Sequence, residues 1–195
     1  MDQISRAIVD HAPPRTPEPS GPFRRASVAL TLRQTADGPD LLMIKRAEHE
    51  GDPWSGHMAF PGGKTDPTDP GPLHTARREA HEELGLALDH ARVLGELNPL
   101  LSPTVKTAVR PHYVHGFVFG IPRLVSPLVP NDEVASVHWF ALDRMLRGEG
   151  RGTFPYRWRG ADLQLPCFRL DGQLIWGMSL RLIDDLLARM RRAQA

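Results

Sequence analysis

Glu79, Glu82 and Glu83 crowd a short stretch, REAHEELGL, that follows a Pro61-Gly62-Gly63 turn. On a helix of about 100° per residue, Glu82 lies about −60° and Glu83 about +40° from Glu79, so three carboxylates share a wedge of about 100°. Leu73, Ala76, Ala80 and Leu84 fill an adjoining sector between about 60° and 140°, an apolar face suited to packing on a sheet. His74, Arg77 and His81 point away from the wedge, toward water. Like charges at this spacing cost a few tenths of a kcal/mol on an exposed helix, and more where water is excluded. A cation must offset that repulsion. Mg2+ takes carboxylate oxygens together with substrate phosphate oxygens, and Arg78, beside the wedge, can orient a carboxylate through its planar fork. An ordinary solvated acidic face is the alternative, and the glycine turn upstream argues against it.

The flanking chain supplies elements to position this helix. Ala26–Leu32 and Leu41–Ile44 are β-prone runs around an Asp37-Gly38-Pro39 turn, which predicts a hairpin. Val93–Leu97 and 108–119 carry strand patterns interrupted by Pro99, Pro103 and Pro111, and His112 and His115 within them read as structural or surface residues. NDEVASVHWFALDRML predicts a turn, a strand over Ser136–Phe140 and a short helix. Thr153–Trp158 and Leu163–Leu170 form a further hairpin about 159–162. In the last stretch, Leu180, Ile183, Leu187 and Met190 recur at helical spacing, and Arg189, Arg191 and Arg192 suit the helix end. Residues 1–22 divide into a short amphipathic helix (Ile4, Ala7, Ile8) and a stiff proline run, an arm able to pack on a neighbouring subunit; residues 23–195 form the domain. Strands interleaved with two main helices fit an α/β/α sandwich around a mixed β-sheet.

A chain of 195 residues, 41% hydrophobic and 24% charged, suits one soluble domain. Its net charge of +1 gives no reason to expect nucleic acid or a membrane as partner. The lone Cys167, in apolar LPCFRL, excludes an intramolecular disulfide and reads as a buried packing residue. With no apolar run of membrane-spanning length and no apolar leader, a cytoplasmic enzyme is expected.

Phe60–Leu86, FPGGKTDPTDPGPLHTARREAHEELGL, resembles the signature of the Nudix hydrolases, a glycine, a distant acid and then R-E-U-x-E-E-x-G-U. Ala80 is small for its place, Asp69 stands for the early glutamate, and the loop is one residue longer than usual. The last two features, FPGGK and Arg46-Ala47 resemble the coenzyme A diphosphatase branch, although Gly51 stands where that branch has arginine.

The resemblance implies a Nudix-type sandwich and an Mg2+- (or Mn2+-) dependent hydrolase of a nucleoside diphosphate linked to another group. Glu79 and Glu83 are then the principal metal ligands, Glu82 is a further ligand or proton acceptor, and a carbonyl of Gly62 or Gly63 completes the shell. Arg78 orients the acids. Glu133 matches an acid that reaches the metal site in related hydrolases, to bind metal or accept a proton; it can equally cap a turn. Arg46, Trp54, His57 and Lys64 are substrate-binding candidates, with Trp54 alternatively a packing anchor beside Asp52-Pro53. Coenzyme A or an acyl derivative is the expected substrate. ADP-ribose, a dinucleotide or an oxidised nucleoside triphosphate is the alternative within the enzyme class, and a non-catalytic nucleotide sensor the alternative outside it. A homodimer is compatible with the proline arm and common in that family.

Overall fold

A computed structural model describes residues 1–51, 54–102, 110–121, 127–158 and 160–194. The Asp52-Pro53 turn, Pro103, the start of the strand expected over 108–119 and Arg159 of the later hairpin turn lie outside these residues. The elements run α1 (Asp2–Asp10), β1 (Arg24–Thr35), β2 (Gly38–Arg46), β3 (Met58–Ala59), β4 (Gly62–Lys64), α2 (Pro72–Leu84), β5 (Arg92–Glu96) and β6 (Leu100–Leu101). They continue with β7 (His112–Ile121), β8 (Val134–Ala141), α3 (Leu142–Leu146), β9 (Arg151–Trp158), β10 (Ala161–Leu170), β11 (Gln173–Trp176) and α4 (Gly177–Arg192).

β1 is the spine. Ala29, Leu30, Thr31 and Leu32 are completely buried, as expected of a strand covered on both faces. Among the described residues it pairs with β2 and β4 antiparallel and with β7 parallel, inside a mixed sheet ordered β3-β2-β1-β7-β5, with β8 on β2 and β6 on β7. Alternation divides the core. Ala29, Leu42, Ile44 and Phe119 face Ala76, Ala80 and Leu84 of α2. Leu30, Leu32, Leu41, Met43 and Val118 share the opposite core with Leu182, Ile183 and Leu186 of α4. The layers are those of an α/β/α sandwich around a mixed sheet. β9, β10 and β11 form a separate antiparallel sheet; its β9–β10 hairpin is the one expected from sequence, and its third strand, β11, was not expected.

The ends of α2 are locally encoded. Pro72 occupies its first turn, where a missing N–H costs nothing. Gly85 closes it in the left-handed conformation (φ 63°), its N–H directed at the carbonyls of Ala80 and His81.

Residues 1–22, read from sequence as an arm, are built onto this domain. Ile4, Ala7 and Ile8 are buried in the α4-side core. The proline segment is pinned where Thr16 N–H donates to Asn98 Oδ1 (2.7 Å), Asn98 Nδ2 to the Pro14 carbonyl (3.1 Å) and Tyr113 O–H to the Thr16 carbonyl (2.5 Å).

Arg189, placed by periodicity among the basic residues at the end of α4, is instead only 2% exposed. Its Nε and Nη2 donate to the two oxygens of Asp185 (2.9 and 2.8 Å), and Nη1 to the carbonyls of Ile8 (2.8 Å) and Glu96 (3.1 Å). Asp185 also accepts from Asn98 N–H (2.8 Å). One guanidinium thereby joins α1, α4 and the end of β5. Removing one partner of such a buried pair strands the other. Arg189→Ala is expected to lower unfolding free energy by about 3 kcal/mol in urea titration, and a change within about 0.5 kcal/mol, ordinary for a surface site, would refute the clamp.

Candidate active site

The glycine turn and α2 meet beside β1. β4 pairs with β1 through Gly62↔Val28 and Gly63↔Ser27, so close that a Cβ on Gly62 would stand 2.4 Å from the Ser27 carbonyl oxygen. A Cβ on Gly63 would stand 2.5 Å from Glu79 Oε1. Glycine is required here to let the carboxylate against the backbone.

Glu83 is only 3% exposed, and its Oε2 accepts the Gly62 N–H at 3.0 Å. Burial dominates its ionisation and pushes it up to about 8; the Gly62 N–H and the Arg46 charge pull down, while Glu79 and Glu133 push up further. Burial likewise raises Glu79 above the usual carboxylate range, against the opposing pull of Arg78. Each acid makes its neighbours harder to ionise.

Arg78 gathers the set. Its Nη1 donates to Glu79 Oε1 and to Glu82 Oε2, both at 2.9 Å, and Nη2 donates to the Lys64 carbonyl (3.0 Å). Nε and Nη2 also form a two-pronged pair with Asp69 Oδ1 and Oδ2, each at 3.0 Å. Asp69, whose side chain is 1% exposed, further accepts from Thr75 Oγ1 (2.8 Å) and the Asp66 N–H (2.9 Å), and contacts His74 Nδ1 (3.0 Å). The Arg78 pair, helped by these bonds, holds its carboxyl well below the usual range. The early acid of the motif is thus the anchor of Arg78, a role the sequence reading did not assign to it.

Glu133 lies just before β8, its backbone held between Asn131 Oδ1 (3.0 Å from its N–H) and the Ala47 N–H (2.8 Å from its carbonyl). The Asn131 N–H donates to the Glu83 carbonyl (2.9 Å), tying this loop to the end of α2. Glu133 therefore approaches both Glu79 and Glu83 closely enough to raise them.

The structure brings Arg46, Gly62, Gly63, Arg78, Glu79, Glu82, Glu83 and Glu133 together. Lys64 joins them through its backbone carbonyl, its side chain being exposed. His57 touches the set through its carbonyl, which accepts the Arg46 N–H (3.0 Å), and its own N–H donates to the Trp54 carbonyl (3.2 Å). The Trp54 ring meets His112 edge-on at 5.8 Å, and His57 meets Trp176 at 4.9 Å. Trp176 continues to Tyr156 (5.0 Å) and Phe154 (5.2 Å), an aromatic shelf that the sequence reading missed. Its signal was an aromatic at every second position of β9, Phe154, Tyr156 and Trp158.

Among the described residues, no three acid or histidine side chains converge tightly enough as they stand to enclose a metal ion. Arg78 occupies Glu79 and Glu82 instead. The donors nevertheless fit a hard divalent cation: all are carboxylate oxygens, and their mutual repulsion and burial are what such a charge relieves.

Paired acids, an orienting guanidinium and a close-approach glycine turn are groups suited to holding a divalent cation beside a phosphate. The NUDIX domain model matches residues 22–156. The chain is 33% identical over 158 residues to the human mitochondrial coenzyme A diphosphatase NUDT8, covering 79% of this chain and 64% of that protein. It is 32% identical over 164 residues to the Nudix hydrolase NudL of Yersinia pestis, covering 84% and 78% respectively. A Schizosaccharomyces pombe protein, C14C4.10c, is 33% identical over 149 residues, of which the match spans 45% of its length and 67% of this chain. Solved structures share the fold. The Ap4A hydrolase of C. elegans matches with TM-score 0.52 and 16% identity over 64% of this chain and 85% of its own. The NUDIX domain of Shewanella oneidensis NrtR, complexed with ADP ribose, matches with TM-score 0.53 and 15% identity over 92% and 94%. The chain belongs to the Nudix family, and it spans about half the length of the Schizosaccharomyces pombe protein and about two thirds of that of human NUDT8.

Glu83 titrates near 8 when folded, against an ordinary value of 4.5. Between these values the folded state holds a proton that the unfolded chain has lost, so in the absence of divalent cations stability falls as pH rises from about 5 to 8. Urea midpoints should show this fall, and Glu83→Gln should remove most of it; an undiminished slope in the variant would reject the assignment. Gly63→Ala should displace the Glu79 carboxylate and lower turnover roughly 100-fold, with the urea midpoint little changed. Full activity would show that the close approach is dispensable.

Proposed function

We propose that this protein hydrolyses coenzyme A or acyl-coenzyme A in the presence of Mg2+ or Mn2+, giving adenosine 3',5'-bisphosphate and (acyl-)phosphopantetheine. The observation that carries the chemistry is the Arg78-ordered acid cluster facing the Gly62-Gly63 turn. The similarity to human NUDT8 across 79% of the chain supports the substrate.

Glu79 and Glu83, with a carbonyl of Gly62 or Gly63, would hold the cation, and Glu82 would be either a further ligand or the proton acceptor. When bound, it supplies charge neutralisation at the diphosphate and lowers the pKa of water. The remaining steps belong to the chain. Arg78 keeps Glu79 and Glu82 aligned while Asp69 fixes the guanidinium. The Glu82 side chain, 52% exposed, is the member of the set accessible enough to take a proton at Oε1 or Oε2; Glu133, also exposed, is the second candidate. A bond forms from the water oxygen to one phosphorus as the bridging P–O bond breaks. The water proton passes to a carboxylate, and the leaving phosphate departs with the electron pair. Trp54, His57 and the shelf behind His57 offer ring surfaces to the organic parts of the substrate.

A panel assay with Mg2+, resolving products by chromatography, tests the proposal on coenzyme A, ADP-ribose, NADH, a diadenosine polyphosphate and an oxidised nucleoside triphosphate. Coenzyme A should be preferred, and Glu83→Gln should abolish most turnover while the fold remains. Preference for another nucleotide would overturn the substrate and leave the chemistry. Nucleotide binding without turnover of any of them would overturn the hydrolytic reading itself.

A further inference from the structure

α2 has a second functional-looking flank. A cleft of about 470 Å³ opens beside its first turns, lined by Arg15, His74, Arg77, Glu96, His115 and Phe117 among others. His74 and Arg77 lie about 140° to 160° around the helix from Glu79, so this cleft is separate from the acid cluster. The sequence suggested that Arg77 is simply solvated. Instead its Nε is buried without a hydrogen-bond partner among the described residues, and its guanidinium sits 5.9 Å from the centre of the Phe119 ring. Arg77 forms no ion pair with any described residue.

His115 repeats the pattern. Its side chain is 5% exposed, its Nδ1 lies 2.7 Å from Glu96 Oε1, and its Nε2 is buried with no partner among the described residues. Buried polar nitrogens are normally satisfied; the Arg77 Nε can only donate and so calls for a missing acceptor, while His115, its Nδ1 turned to Glu96, adds a second donor at Nε2 when its ring is protonated. The charge balance gives its sign. Glu96 is the only carboxylate among the described lining residues and is already shared, since Arg15 donates to both its oxygens (2.9 and 3.1 Å) while His115 contacts Oε1. Arg77 is left uncompensated. Phe117, stacked 6.3 Å from His115, offers an apolar wall beside the charges. His74 leads from the cleft to the catalytic flank, its Nδ1 lying 3.0 Å from Asp69, the anchor of Arg78.

We propose that this cleft binds a phosphate group, free or carried on an organic monoester, at Arg77 and the neighbouring Arg15 and His115, distinct from the diphosphate that is hydrolysed. A guanidinium suits this role through its fork of N–H donors. The inference does not require the coenzyme A reading.

The test is a titration of the full-length, metal-free protein with 5'-AMP and, separately, with orthophosphate. Calorimetry and amide NMR follow it. Without a cation the glutamates repel phosphate, so binding there is suppressed. At least one probe should bind saturably with a Kd below about 1 mM, shifting the amides of His74, Arg77, His115 and Phe117. Arg77→Gln should weaken binding roughly tenfold or more. Tighter binding of 5'-AMP identifies an organic monoester as the ligand, and equal binding identifies free phosphate; either supports the site when the shifts fall in the cleft. No saturation by about 10 mM, or shifts confined to Gly62, Gly63 and Glu79, would overturn it. The wild-type shift map decides the matter even if the variant fails to fold.

Discussion

A carboxylate that is almost wholly buried against a glycine backbone is the constraint on which the site depends. Glu83 has one N–H for company and other acids beside it, so without an added cation it holds its proton into the neutral range. Glu79 shares the burden. Arg78 steadies Glu79 and Glu82, its own position fixed by the ion pair with buried Asp69, and the Arg46 charge offsets part of the cost at Glu83. A guanidinium anchored by one acid can present its remaining N–H groups to two others without side-chain entropy being lost again on each contact. The result is an oriented acid cluster that remains short of positive charge, and that shortage is what suits it to a divalent cation and a diphosphate.

The fold serves this arrangement by bringing a glycine strand and a helix to the same spine. β1 receives β4 along part of its length and α2 across its face, so the glycine pair and the glutamates are fixed by main-chain pairing and by Ala76, Ala80 and Leu84 in the core. Loop 127–133 is tied back to the C-terminal end of α2, where Val129 and Asn131 donate to the carbonyls of Leu84 and Glu83, and it brings Glu133 toward the cluster. On the far face, Arg189 joins the N-terminal helix to α4 and β5, which makes the first residues of the chain part of the same structure.

Much of this was legible in the sequence because it is local and periodic. The hairpin of β1 and β2, the limits of α2, the apolar stripe of α4 and the glutamate wedge all follow from spacing and from Pro and Gly punctuation. The features that escaped are those made by residues distant in sequence. Asp69 was visible as an acid in the loop, but nothing in its spacing says that it grips Arg78 in two places. Arg189 was read only as a basic residue suited to the helix end, because no local pattern reveals carbonyls from Ile8 and Glu96 converging on it. Arg77 and His115 were read as surface or structural for the same reason: their shared cleft exists only once β7 lies beside the first turns of α2. The aromatic shelf needed the pairing of β9, β10 and β11 before its rings could be seen as one surface.

If Glu83 holds its proton until a divalent ion displaces it, metal binding must release that proton. Mn2+ binding would be measured by calorimetry at pH 7 in two buffers of different ionisation enthalpy. The account predicts release of about one proton per bound ion, because Glu83 must ionise to become a ligand, and loss of that proton in Glu83→Gln. Tight binding with no proton released, or the same release from the variant, would contradict it.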